Sequence, residues 1–138
     1  MAEIKKEEIY DKDDLLVIIL RAGDYLPGTN FYNRENDFIQ TGTWNHPKGH
    51  KIKAHSHQTF DRIVKRTQEM VYLKEGKMKS NIYDKKDKFL AEILLNPGDV
   101  IIYLDGGHDF EILEDNTQVF EIKNGPYFGT EKDKKFIQ

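Results

Sequence analysis

The stretch Asn96-Pro97-Gly98-Asp99-Val100-Ile101-Ile102-Tyr103-Leu104-Asp105-Gly106-Gly107-His108 decides the fold. Pro-Gly-Asp marks a turn, the β-branched and aromatic run after it marks a strand, and Asp-Gly-Gly marks a second turn that delivers a histidine. Val100 to Leu104 is apolar at odd and even positions alike. A strand apolar on both faces needs cover on both, from another subunit or from the N-terminal strand of the same chain.

The same punctuation recurs outward in both directions. Leu15 to Arg21 is a continuous apolar run between Asp13-Asp14 and Ala22-Gly23-Asp24, the pattern of a buried strand. Residues 24–36 are rich in Gly, Pro, Asn and Asp and are expected to form a loop. Strands are predicted over Phe38–Trp44, His50–His57, Glu69–Leu73, Lys77–Tyr83, Phe89–Leu95, Asp109–Leu113 and Thr117–Lys123. Helical turns are expected only at Tyr10–Leu16 or Asp61–Gln68. Short strands with turns every eight to twelve residues predict an all-β barrel or sandwich. Counting along the strand at Glu69 puts Val71 and Leu73 on its inward face, with Met70 and Tyr72 outward.

Composition narrows the class. A chain of 138 residues suits one domain, here spanning 1–138, with strands of residues 15–44 added to the sheet and a charged tail over 129–138. At 33% charged and 38% hydrophobic the chain is polar, yet its seven Tyr, eight Phe and aliphatic runs supply a core. A net charge of −3 makes no electrostatic case for nucleic acid or a membrane surface as partner. With no Cys, disulfides, thiolate metal sites and cysteine nucleophiles are excluded. No apolar run has the length of a membrane span and the polar start is unlike a signal peptide, so a cytoplasmic protein is expected.

The chemistry-bearing pattern begins at His55-Ser56-His57. On a strand, residues i and i+2 share a face and lie roughly 6.6 Å apart, close enough for both imidazoles to lean toward one ion. A third histidine and a carboxylate from other strands would complete a nitrogen and oxygen ligand set suited to Fe, Mn, Ni, Zn or Cu. Glu69, seven residues before Gly76, and His108 are the candidates. His46 and His50 read as structural or surface residues. Arg62 and Arg66 are candidates to hold an anionic group, or are simply solvated.

These residues resemble the two motifs of the cupins. Gly49, His55 and His57 match the start of the first motif, Glu69 and Gly76 its end, and Gly98 and His108 the second; the likeness covers about residues 45–125. There are departures: eleven residues separate His57 from Glu69 where the family has three or four, and Ile112 stands where the second motif has Asn. The resemblance implies a double-stranded β-helix, or jelly-roll barrel, and one divalent metal ion held by His55, His57, Glu69 and His108. It also implies a homodimer, and dioxygenase- or isomerase-type chemistry on a small oxygen-rich metabolite, with Glu69 and Tyr127 as catalytic candidates. An alternative within the family is a metal-independent isomerase or epimerase of nucleotide-linked sugars. There His57 or His108 would act as base and Tyr103 or Tyr127 as acid. A third is a small-ligand-binding module without catalysis.

Overall fold

Alternating burial along successive chain segments builds two facing antiparallel sheets in the computed structural model, which describes residues 4–138. The protein is predominantly β, with 40% of residues in strands and 3% in helix. The larger sheet is formed by β1 (Glu7–Asp11), β2 (Asp14–Leu20), β5 (Glu69–Glu75), β8 (Val100–Tyr103) and β11 (Gln118–Lys123), in the order β1-β2-β8-β5-β11. The smaller has the order β10-β6-β7, from β10 (Glu111–Ile112), β6 (Met78–Tyr83) and β7 (Phe89–Leu95). β9 (Gly107–His108) lies on the same side of β6 as β10, so residues 107–112 act as one strand broken at Asp109. The Asp109 carboxylate fills the break by accepting hydrogen bonds from the Asn81 amide nitrogens and the Tyr83 hydroxyl. Among the described residues no closed barrel is seen.

The core between the sheets is made by inward residues of both: Val71, Leu73, Ile101 and Tyr103 from one, and Met78, Ile82 and Leu95 from the other. The inward and outward faces expected around Glu69 hold, since Met70 and Tyr72 pack in a second cluster on the outer face. In β2 a bulge opposite Ile9 and Tyr10 shifts the alternation by one residue, so Leu16 and Val17 both face the inner core while Leu15 and Ile18 face out.

Several expected elements differ. Residues 28–31, expected within a loop, form β3 (Gly28–Phe31), and only Gly42–Asn45 of the predicted 38–44 strand forms β4. This hairpin is a separate two-stranded sheet rather than an addition to the main one. Its neighbours Tyr32 and Ile39 cover Ile18, Val100 and Ile102, so the second apolar face of β8 is covered within the chain. Gln68, fully buried, clasps this cover: its Oε1 accepts from the backbone of Phe38 (2.6 Å) and Ile39 (3.1 Å), and its Nε2 donates to the Leu104 carbonyl (3.1 Å). The predicted strand at His50–His57 does not form, and the one helix among the described residues, α1 (Thr130–Asp133), falls in neither expected place. Among the described residues no helix is long and apolar enough to cross a membrane.

Turn chemistry fixes the strand that the sequence singled out. Gly98 (φ +91°) donates to the Leu73 carbonyl, and a Cβ there would press on Ala22. Asp99 accepts from Arg21 Nη1, the Ala22 amide and the Asn96 amide, at 2.9, 3.0 and 2.9 Å. Gly106 (φ +74°) has no room for a Cβ against the Tyr83 carbonyl, and so lets the chain turn directly into His108.

Candidate functional site

Glu69 and His108 come from opposite sheets and meet. Glu69 opens β5 on its inward face, with Tyr103 of β8 and Lys123 of β11 as its register partners. His108 projects from β9, which is held against Ile82 and Tyr83 of β6. Their side chains approach to 2.5 Å between Glu69 Oε1 and His108 Nε2, with the Glu69 side chain 10% exposed and that of His108 27% exposed. The carboxylate is therefore sheltered while the imidazole remains reachable from solvent.

The imidazole is gripped from several directions. The Tyr103 ring stacks on it at 3.9 Å between centroids, and Phe110 meets it edge-on at 5.2 Å. The Tyr103 hydroxyl donates to Ser80 Oγ at 2.7 Å, which locks the ring beneath His108. Burial pushes the Tyr103 phenol far up, so it holds its proton and serves as a platform. With Nε2 on Glu69, Nδ1 has no hydrogen-bond partner among the described residues.

The charge on Glu69 is set by its neighbours. Burial alone would raise its pKa, but hydrogen bonds with His108 and Glu121, and the charges of His108 and Lys123, overcome burial and hold it at about 2. Glu121 moves the other way: its hydrogen bond to Glu69, then burial and the Glu69 charge, raise it. Lys123 lies over the Tyr127 ring at 5.2 Å and 3.9 Å from Asp133, which in turn accepts from Thr67.

The other expected residues are elsewhere. His55 and His57 sit in an exposed segment without regular structure, their rings edge to face at 5.2 Å, with His55 Nδ1 on the Lys53 carbonyl at 2.8 Å. Among the described residues no cluster of three or more His, Cys, Asp or Glu side chains is arranged to hold a metal ion. Glu69 and His108 present one oxygen and one nitrogen, short of the three or four protein ligands a divalent ion usually takes. As placed, the expected four residues do not fit a closed site. Tyr127 is exposed, its hydroxyl pairs with Thr130 Oγ1 at 2.9 Å, and it reaches the Glu69 neighbourhood only through Lys123. It lines a cavity of about 210 Å³ with Arg66, Thr67, Lys123, Lys132 and Asp133, and neither Glu69 nor His108 is in that lining. Arg66 donates to the Leu104 carbonyl at 3.0 Å, and Arg62 stacks over Phe60 at 3.9 Å. His46 and His50 stack on each other at 3.8 Å, and His46 pairs with Thr29.

Phe110 and Ser80 were not singled out from sequence. Phe110 had a signal, since it stands two residues after His108 on the same interrupted strand and so on the same face. Ser80 had one only through β6 parity, as a small polar residue between Met78 and Ile82 on the inward face. No family model, curated protein or solved structure matches this chain.

Proposed function

We propose that this chain acts on a small, oxygen-rich metabolite by proton transfer at the Glu69–His108 pair. The observation that carries the reading is the 2.5 Å contact between a carboxylate and an imidazole drawn from two sheets, 39 positions apart in sequence. When His108 is neutral, the ionised Glu69 accepts from Nε2–H and so leaves Nδ1 to take a proton. When Nδ1 takes a proton from substrate, the Glu69 carboxylate lies against the imidazolium that forms. Tyr103 keeps the ring in place, with its own proton committed to Ser80. The fold in this reading is a cupin-type jelly roll open along one side, supported by two facing antiparallel sheets and by the positions of Glu69, Gly98 and His108.

The test is exchange of substrate carbon-bound hydrogen into deuterated water, followed by proton NMR. A panel of nucleotide-linked keto-sugars and small keto and hydroxy acids is used. Wild-type protein is expected to wash out one C–H signal next to a carbonyl, and His108→Asn to slow this by about 100-fold or more, the usual scale for a general base. Binding without exchange would favour the non-catalytic module. Neither binding nor exchange would overturn the proposal.

The divalent-ion reading is retained as a second proposal because Glu69 and His108 do converge on one point. It requires His55 and His57 to be brought there. Plasma mass spectrometry of protein purified without chelator is expected to find near-stoichiometric metal that falls at least tenfold in His55→Ala and in His57→Ala, on the scale of losing a ligand. Metal-free protein after reconstitution would sink this second reading and leave the first intact.

A further inference from the structure

We infer that residues 46–66 of one chain lie along the β10–β11 side of a second copy, and reciprocally, forming an arm-exchanged dimer. β10 and β11 follow each other through the 113–117 turn, so one edge of each sheet lies on the same side of the sandwich, the opposite edges being β1 and β7. β1, at the far edge of the larger sheet, presents Glu7, Glu8 and Asp11, the charged blunting usual at sheet edges. β11 instead exposes Val119, Phe120 (59%) and Ile122, while Phe110 and Ile112 are exposed beside the other edge.

The 46–66 segment has the complementary character. It is anchored at its ends, by His46 on Thr29 and Arg66 on Leu104, and among the described residues no side chain of 51–65 hydrogen-bonds to the two sheets. Ile52, Phe60, Ile63 (81%) and Val64 stand in solvent. It carries six Lys or Arg (48, 51, 53, 62, 65, 66) against Asp61 alone, whereas residues 105–123 carry six Asp or Glu against Lys123 alone. A basic, partly apolar arm thus faces an acidic, partly apolar edge, in a chain whose overall charge is only −3.

Size and symmetry fit a pair of chains. A stable interface takes about 20–30 residues a side and roughly 1,600 Å². Arm and edge each span about 20 residues, and reciprocal exchange uses both twice around one two-fold axis. A doubly anchored arm of about 20 residues at ~3.3 Å each reaches roughly 30 Å out and back, enough to cross a neighbour's edge. Added backbone hydrogen bonds along β11 would supply affinity, and the alternating pockets register.

The test mixes chains labelled with nitrogen-14 and nitrogen-15, refolds them together, and crosslinks through a photoreactive benzoylphenylalanine in place of Phe60. Expected are a sedimenting species of twice 16.2 kDa, heavy–light crosslinks from position 60 into residues 105–123, and dissociation at least tenfold easier in Lys51→Glu/Lys53→Glu with circular dichroism unchanged. The charge-reversed variant should regain pairing when mixed with a chain carrying Glu111→Lys/Glu114→Lys. Monomer at about 100 µM, a concentration that pairs most chains even at a Kd near 10 µM, would overturn the inference. So would crosslinks confined to one chain, which mean that the arm closes its own edge, or a dimer without arm–edge crosslinks. Arm exchange uses neither Glu69 nor His108, so a dimer lacking proton-transfer activity would sink the proposed function alone.

Discussion

Replacing Glu69 with Gln probes the pair most directly, because the environment of one carboxylate sets the size of the effect. Glu69 sits at about 2 where an ordinary glutamate has 4.5. A tenfold change in proton affinity is worth about 1.4 kcal/mol, so that difference corresponds to about 3 kcal/mol of folding free energy. The sign follows from which state binds the proton more tightly. The unfolded chain protonates Glu69 near pH 4.5 and the folded chain only near pH 2, so the contribution is complete above the first value and lost as the pH falls through the second. Glu121 opposes it: its raised pKa favours the fold at low pH, and that part is lost as the pH rises through its folded value. Gln keeps the shape and one acceptor oxygen but loses the charge, and relieves Glu121 in doing so. Urea unfolding followed by far-ultraviolet circular dichroism is therefore expected to show Glu69→Gln about 2–3 kcal/mol less stable near pH 6. The gap should narrow toward zero near pH 2. A gap below about 1 kcal/mol at pH 6, or one of the same size at both pH values, would refute the charge account of the site.

Asp99→Ala strands three donors around a carboxylate only 6% exposed. A loss of about 3–5 kcal/mol is expected, seen as a Tm lowered by roughly 10–15 °C in a calorimetric scan. Tyr103→Phe removes the hydroxyl that donates to Ser80 but keeps the ring under His108; it should cost about 1–2 kcal/mol in urea unfolding and change hydrogen-exchange activity less than about threefold. Gln68→Leu unpairs the backbone N–H groups of Phe38 and Ile39 and leaves the Leu104 carbonyl with Arg66 as its side-chain donor. A loss of about 2–4 kcal/mol is expected, with amide exchange faster in residues 32–41 than in β6, since only the outer cover loosens.

The parts of the fold legible in sequence are those whose partners are dictated by burial. β2, β5, β6, β7 and β8 lie where alternation or continuous apolarity placed them, because each sends residues into the inner core, whereas β11 is exposed throughout and is held by its ladder to β5. β1 was not legible, since Glu7-Glu8-Ile9-Tyr10-Asp11 sends only Ile9 against the core and is held chiefly by its ladder to β2. Residues 28–31 and 38–41 differ from expectation for a related reason. Their hairpin pairs through Gly28, Asn30, Gly42 and Asn45, residues poor in strand propensity. What holds the segment to the sheet is Tyr32 together with the buried amide of Gln68, a polar clasp that no periodicity announces.

The candidate site divides along the same line. Glu69 and His108 were legible because both sit on strands whose register is fixed by core neighbours, Val71 and Leu73 on one side and Ile82 on the other. Once those strands are placed, the two side chains have nowhere else to go. His55 and His57 lack that constraint. His50 to His57 alternates Lys and His with only Ile52 and Ala54 between, so neither face buries enough to choose a partner, and β-formation there depends on an edge already in place. β10 and β11, one edge strand of each sheet, flank the Glu69–His108 pair through neighbouring Phe110 and Glu121. Whatever covers those edges therefore also controls solvent access to the imidazole, now 27% exposed.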